Sequence, residues 1–310
     1  MSASRSLHLR AATRASALAQ WQTDAVSEAL IDLAARADIE LTVEKVLVET
    51  TADRRLDIPI AEMGGKGVFV KEVQAAVLDG RADIAVHSGK DMPAITPDGL
   101  IIAAVPPRAD ARDLLIGSTL DDLGEGAVVA TGSIRRRAQL AHVRPDLRFA
   151  ELRGNIATRL AKAVEFDAIV MAAAAVDRLD IDLSDRAIEL LDPAVMLPQV
   201  AQGAMAVECR AVDGDLVRLI AGIEDPVSRL AVDAERAFLA ELGGDCDLPA
   251  GAYATFHGNI CEIEAILASP EGSTVLRERR RVPAHDAPDI GRVLARELLD
   301  HRGGAELLRA

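Results

Sequence analysis

Aromatic side chains are scarce: five Phe, one Tyr and one Trp in 310 residues. Base-stacking platforms for nucleic acid are therefore short of material, and the cores must be packed by Ala, Val, Leu and Ile. Cysteine is scarce as well. Cys209, Cys246 and Cys261 are odd in number and contain no C-x-x-C pair, which argues against a disulfide framework and a zinc site. Asp57 and the other scattered acids form no metal-ligand spacing. No uncharged apolar run reaches the roughly eighteen residues that would read as a membrane span. Arg5 and Arg10 precede the polar residues 13–16 with no apolar signal core between them, so a cytoplasmic protein with reduced thiols is expected. Positive charge is in deficit. The 35 Lys and Arg against 49 Asp and Glu give a net −14, which argues against general nucleic-acid binding.

Apolar residues make up 50% of the chain and charged ones 27%, the balance of a globular protein with ample core. Short apolar runs alternate with helical patterns, the mark of α/β lobes with largely parallel sheets. The patterns predict strands at 7–12, 41–50, 84–86 and 101–105. Helices are predicted at 17–36 and 71–78, the second closed by Gly80 in a left-handed cap. Pro106-Pro107 reads as a linker. A second round predicts strands at 127–130, 147–152 and 168–172, with helices at 136–142 and 156–164. Farther on come a strand at 203–210, a helix at 226–242, two strands (253–257 and 260–268) around His257-Gly258-Asn259, and a helix at 290–299. The two rounds resemble each other weakly. Each opens with a strand leading through Thr, Ser and Arg into a helix. Each has an Asp, Asp83 or Asp167, at the head of a buried strand. Two such lobes would place a cleft where strand ends and helix N-termini converge.

Charge is unevenly spread. Residues 131–159 hold seven Arg and two acids, +5 in a chain of net −14. A basic island in an acidic protein points to a specific anionic ligand, with Arg as the side chain for bidentate carboxylate capture. For any single Arg, a solvated helix face is an equally good reading. Arg135 and Arg136 favour the anion because they sit where a strand turns into a helix. Gly64-Gly65-Lys66-Gly67 is a loop before a helix that fits no P-loop pattern; a plain loop with an exposed Lys explains it about as well. His87-Ser88-Gly89-Lys90-Asp91 follows a buried strand, where α/β proteins place their sites. A polar turn would look the same. Cys209 and Cys261 lie inside apolar strand patterns and read as buried small hydrophobes. Cys246, on a glycine-bounded loop, is the candidate nucleophile or attachment point.

Seven segments in order then make a specific match: TRASALA at 13–19, GGKGVF at 64–69, DGRADIAVHSGKDMP at 79–93, TGSIRRRAQL at 131–140, LRGNIATRL at 152–160, QVAQGAMAVE at 199–208 and AERAFLAELGGDCDLPAGAYA at 234–254. With these the chain resembles the hydroxymethylbilane synthase (porphobilinogen deaminase) family. It differs from the family's usual pattern at Gly89, Gly132, Arg137 and Asp245.

The resemblance implies a transferase that joins four porphobilinogen molecules head to tail, releasing ammonia each time, to give a linear tetrapyrrole. It implies a dipyrromethane cofactor held by a thioether to Cys246. It implies two related α/β lobes like those of periplasmic binding proteins plus a small α+β domain, divided as 1–106 with 203–222, 107–202, and 223–310. Asp91 would carry the chemistry. Arg14, Ser16, Lys66, Ser88, Lys90, Ser133, Arg135, Arg136, Arg153 and Arg159 would surround cofactor and substrate carboxylates. Thr131, Asn155 and Gln202 would be neighbours, and Phe69 would lie over the substrate pyrrole. Porphobilinogen would be the partner of a monomer that needs no nucleic acid, membrane or second protein. The alternative from another class is a non-enzymatic two-lobed anion-binding protein, since fold alone does not decide function.

Overall fold

A computed structural model describes residues 5–54, 67–243 and 248–308. The chain forms two compact units, 1–108 with 204–229, and 109–203 with 230–310.

The first unit opens with β1 (Arg5–Arg14), α1 (Ala17–Ala35) and β2 (Ile39–Val48). A helical turn α2 (Thr51–Arg54), helix α3 (Lys71–Leu78) and strands β3 (Ile84–Ser88) and β4 (Leu100–Ala104) follow. Gly80 does close α3 at positive φ, +72°. The second unit runs β5 (Asp113–Ile116), β6 (Val128–Ala130), α4 (Ile134–Val143), β7 (Arg148–Ala150), α5 (Ile156–Lys162), β8 (Ala168–Ala172), α6 (Ala173–Arg178) and β9 (Ile188–Leu190). The chain then returns to the first unit as β10 (Met205–Arg210) and α7 (Gly214–Ala221). The division between units falls within α8 (Pro226–Glu241). The antiparallel meander β11 (Ala250–His257), β12 (Ile260–Ala268) and β13 (Val275–Pro283) and the helices α9 (Ala287–Arg296) and α10 (Gly304–Leu307) complete the second unit.

The first sheet has the order β2-β1-β3-β10-β4 and the second β7-β6-β8-β5-β9. Both are built alike: three parallel strands, then an antiparallel strand, then an edge. The sheets are thus mixed, where the sequence pattern predicts largely parallel ones. β5 and β9 are absent from that pattern, and β13 completes what reads there as a hairpin. The weak repeat in sequence corresponds to a repeated device. Asp83 Oδ2 accepts the Arg10 backbone N–H at 2.8 Å, and the Asp83 N–H donates back to the Arg10 carbonyl at 2.8 Å. Asp167 Oδ2 accepts the Val128 N–H at 2.7 Å, and its own N–H donates to the Val128 carbonyl at 3.1 Å. Each Asp clips the third strand to the first at the end away from the loops that follow the parallel strands.

Aliphatic residues fill both cores, as the lack of aromatics requires. Leu9, Val26, Leu30, Ile84 and Val207 pack between the first sheet and α1. Leu115, Val129, Leu140, Val170 and Met196 pack beneath α4. Only Phe238 among the aromatics is fully buried within the described residues.

Candidate active site

At the C-terminal ends of β1 and β3 a pocket of about 60 Å³ opens in the first unit. Arg14, Ser16, Phe69, Ser88 and Asp91 line it, together with Gln22 and His87. Five of the residues singled out from sequence thus meet in one place. Lys90 lies beside them on the single turn 89–91. Lys66 and Cys246 lie outside the described residues.

Local chemistry sets each group. Ser16 caps α1, its hydroxyl accepting the Ala19 N–H at 3.3 Å, which leaves its own hydrogen to donate. Gln22, one turn and a half along the helix, donates to Ser88 Oγ at 2.9 Å and accepts from it at 3.1 Å. The Arg14 guanidinium lies over the Phe69 ring, 4.9 Å from its centroid, and pairs with Asp53. Asp53 also accepts from Thr50 Oγ1 at 2.7 Å. Burial opposes its charge, but the bonds from Arg14 and Thr50 outweigh that and hold its carboxyl below the usual range. The family resemblance implies that Phe69 would lie over the substrate ring; in the structure one of its faces already carries Arg14.

The second unit repeats the arrangement after β6 and β7. Ser133 caps α4, accepting the Arg136 N–H at 3.4 Å. Thr131 Oγ1 accepts the Ser133 N–H at 3.2 Å. Asn155 caps α5 through the Thr158 N–H at 2.9 Å, and Arg159 Nε donates to the Gly154 carbonyl at 2.8 Å. Gly154 has φ +117°, and a Cβ there would stand 2.7 Å from Thr158 Cγ2, so this tight loop beside Arg153 admits glycine alone without strain.

Arg135 and Arg136 are not on a solvated helix face. Both are buried and share Asp113: Arg135 Nη2 donates to Oδ2 at 2.8 Å, and Arg136 Nη2 to Oδ1 at 2.7 Å. Gln202 Nε2 adds a bond to Oδ1 at 2.8 Å. Burial alone would push the Asp113 carboxyl up; the two guanidinium charges and these bonds outweigh it and hold it at about 2. Among the described residues two cations face one anion, which gives the cluster a net positive charge. Arg135 Nε is enclosed and unpartnered, beside a small cavity lined by Ser133, Gln199 and Leu248. Elsewhere in the basic island Arg144 is spent structurally, on Asp146 and on the carbonyls of Leu120 and Leu123. Sequence reasoning overlooked Gln22, Asp53 and Asp113. For Asp113 a signal was present, an Asp heading an apolar strand like Asp83 and Asp167.

The geometry defines a class: two α/β lobes, each presenting anion-binding groups where its parallel strands end. Comparison with known proteins gives the family. The porphobilinogen deaminase dipyromethane cofactor binding domain model matches residues 9–218, and the porphobilinogen deaminase C-terminal domain model matches 229–300. Porphobilinogen deaminase of Acidothermus cellulolyticus is 44% identical over 97% of this chain and 90% of its own length. Those of Syntrophotalea carbinolica (43%, covering 97% and 95%) and Brevibacillus brevis (42%, covering 96% and 96%) are similar. The chain belongs to the porphobilinogen deaminase family. Among solved structures, the arginine-specific periplasmic binding protein of Salmonella typhimurium aligns at TM-score 0.40 with 13% identity, over 73% of this chain and 94% of that one. The aliphatic sulphonate binding protein of Escherichia coli aligns at 0.40 with 15% identity, over 67% and 63%.

Proposed function

We propose that this chain condenses four porphobilinogen molecules head to tail, with loss of ammonia at each step, as a hydroxymethylbilane synthase, and that Asp91 carries the reaction. Family membership over nearly the whole chain favours the transferase over a non-enzymatic anion-binding protein. The observation that carries the reading of the site is Asp91 itself. It is the carboxylate lining a pocket whose other polar groups include Arg14, Ser16 and Ser88. Such a pocket fits a pyrrole bearing an acetate and a propionate, with an acceptor for the ring N–H and donors for the side chains.

The family's cofactor is a dipyrromethane. The net positive Arg135–Arg136–Asp113 cluster and the enclosed, unpartnered Arg135 Nε fit its carboxylates. Ser133, Arg153 and Arg159 would add donors, with Thr131, Asn155 and Gln202 holding the loops. When bound, the dipyrromethane supplies the pyrrole carbon to which the first substrate is joined. Cys246 would anchor it by a thioether. Burial pushes both Cys209 and Cys261 up to about 11, so neither offers a thiolate at neutral pH.

Asp91 accepts the N–H of the substrate pyrrole. As ammonia leaves the aminomethyl carbon, positive charge spreads over that ring, and the carboxylate balances it. Once the new carbon–carbon bond has formed, the attacked ring carbon sheds its proton, and Asp91 is placed to take it. Lys66 and Lys90 would hold substrate carboxylates.

Three further readings go with this function. The three sheets, and the gap between the matched family models at 218 and 229, support three domains at 1–106 with 203–222, 107–202 and 223–310. Free, buried thiols at Cys209 and Cys261 support a cytoplasmic home, and no described helix is long and apolar enough to cross a membrane. The protein acts as a monomer on its small substrate.

Purified protein mixed with porphobilinogen should release ammonia and yield a linear tetrapyrrole, and its intact mass should exceed the chain by two pyrrole units. Cys246→Ser should fold and lack that adduct. An adduct of the same mass on Cys209 or Cys261 would sink the assignment of the attachment residue.

A further inference from the structure

Glu235 is a carboxylate on an apolar stripe. Its neighbours on that side of α8, Ala231, Ala234 and Phe238, are buried, and Glu235 is fully buried with them. The reaction described above does not use it. Its two oxygens accept backbone N–H groups from two separate segments. Oε2 takes that of Ala201 at 2.7 Å, and Oε1 that of Ala254 on β11 at 2.9 Å. All of these residues belong to the second unit.

Ala201 resists being held in this way. Its φ is +57°, in the left-handed region that crowds an L side chain. It is the third residue of the turn 199–202, which the Gln202 N–H closes on the Gln199 carbonyl at 2.9 Å. That position, at positive φ, ordinarily goes to glycine or asparagine. Strained backbone persists where its surroundings over-determine it. Here the Glu235 carboxylate grips the strained residue by its N–H. Two residues on, the Gly203 carbonyl is anchored by Arg178 Nη2 at 2.7 Å and by the Ala109 N–H at 3.1 Å.

The turn reaches the basic cluster at two points. Gln199 and Val200 line the small cavity beside Arg135. Gln202 is buried, and its Nε2 donates both to the Ala111 carbonyl at 2.7 Å and to Asp113 Oδ1 at 2.8 Å. That bridge keeps Asp113 Oδ1 towards Arg136 and Oδ2 towards Arg135.

We infer that Glu235 is a positioning residue for the cofactor. By holding Ala201 in its left-handed conformation it sets Gln202 against Asp113, and through that carboxylate it aligns the arginine pair for the dipyrromethane carboxylates. The inference rests on the function proposed above.

The test reads binding rather than turnover. In Cys246→Ser protein, which cannot fix the ligand covalently, a dipyrromethane with acetate and propionate arms is titrated calorimetrically beside one with alkyl groups in their place. The carboxylate probe should bind more tightly. Glu235→Gln, added to this background, keeps the size of the side chain but only one acceptor. It should weaken the carboxylate probe about tenfold, the factor at stake in one left-handed alanine, and leave the alkyl probe unchanged. Ala201→Gly takes the same φ without strain. It should change nothing alone and recover most of the loss when combined with Glu235→Gln. On a Gln202→Met background Glu235→Gln should add little, because both act through one contact. Should Glu235→Gln fail to fold by circular dichroism, Ala201→Val keeps Glu235 and forces a β-branched residue to positive φ; it should give the same selective loss. A side chain that merely fastens α8 to β11 would weaken both probes alike or neither, with no rescue at position 201, and any of these outcomes would overturn the inference. Equal binding of the two probes before Glu235 is touched would overturn the cofactor site proposed at Arg135 and Arg136, and this inference with it.

Discussion

Asp91 ends a single turn, residues 89–91, that is pinned from both sides. The Gly89 N–H donates to the Ala204 carbonyl at 2.8 Å, and the Met92 N–H to the Gly89 carbonyl at 3.2 Å. An amide at position 91 keeps the shape and loses the charge. Asp91→Asn should therefore fold, and with preassembled cofactor should lose turnover by about 100-fold or more, the low end for positioned acid–base catalysis. Affinity should fall much less, since the amide oxygen still accepts a pyrrole N–H. Single-turnover ammonia release measures this, and a rate within a few-fold of wild type would reduce Asp91 to a turn residue. The thiols give a second test at this scale. With Cys209 and Cys261 both pushed up to about 11 by burial, native cofactor-free protein at pH 7.5 should take iodoacetamide at Cys246 alone. Peptide mapping reads the site, and early labelling of either buried thiol would contradict it. Much of this was legible in the sequence, because Asp91, Ser88, Arg14 and Ser16 sit in short motifs at strand ends. Gln22 and Asp53 were not. Their meaning lies in partners 66 and 39 residues apart in sequence, which no local pattern encodes.

At the scale of elements, Asp113 shows how a strand can be hidden and still organise a site. β5 is four residues long and β9 three, too short for periodicity to register. Yet β5 begins with the carboxylate that gathers Arg135 and Arg136 from α4 and Gln202 from the segment before β10. The same two arginines were visible as part of a basic island; that they are buried was not, because the neutralising Asp comes from an unrecognised strand. Asp113→Asn would leave two guanidinium charges in the core facing no anion among the described residues. A loss of about 3–5 kcal/mol is expected, the usual effect of removing one partner from a buried pair, and urea unfolding at neutral pH measures it. The acid limb carries a second signature. The folded carboxyl at about 2 lies below its ordinary 3.8. Its contribution is therefore fully present above roughly pH 4 and is lost as pH falls towards 2. The Asn variant should lack that part of the acid slope. A variant as stable as wild type at pH 7, with the same acid slope, would mean the charge of Asp113 holds nothing together.

The whole molecule repeats one plan, and the repeat is more exact in hydrogen bonds than in residues. Sheet order, the serine caps Ser16 and Ser133, and the clips at Asp83 and Asp167 recur in both lobes. The sequence exposed the start of each round and the Asp at each buried strand. It hid the antiparallel member of each sheet, because β10 arrives from about a hundred residues downstream of β3 and β5 precedes its lobe's parallel strands. Two compact units with separate cores should unfold in more than one step, and the clips allow each step to be assigned. Asp83 also binds the Arg10 side chain at 2.9 Å and faces Arg210 at 3.5 Å, so its loss releases three groups where loss of Asp167 releases the Val128 N–H. Asp83→Ala should lower the transition of the first unit, by about 1–3 kcal/mol for an unsatisfied partner group, and leave the other in place. Asp167→Ala should do the converse with a smaller effect. Calorimetry, with hydrogen exchange at Arg10 and Val128 to say which sheet opens, resolves the two. Equal shifts of every transition in both variants would mean that the lobes fold as one cooperative body despite their separate cores.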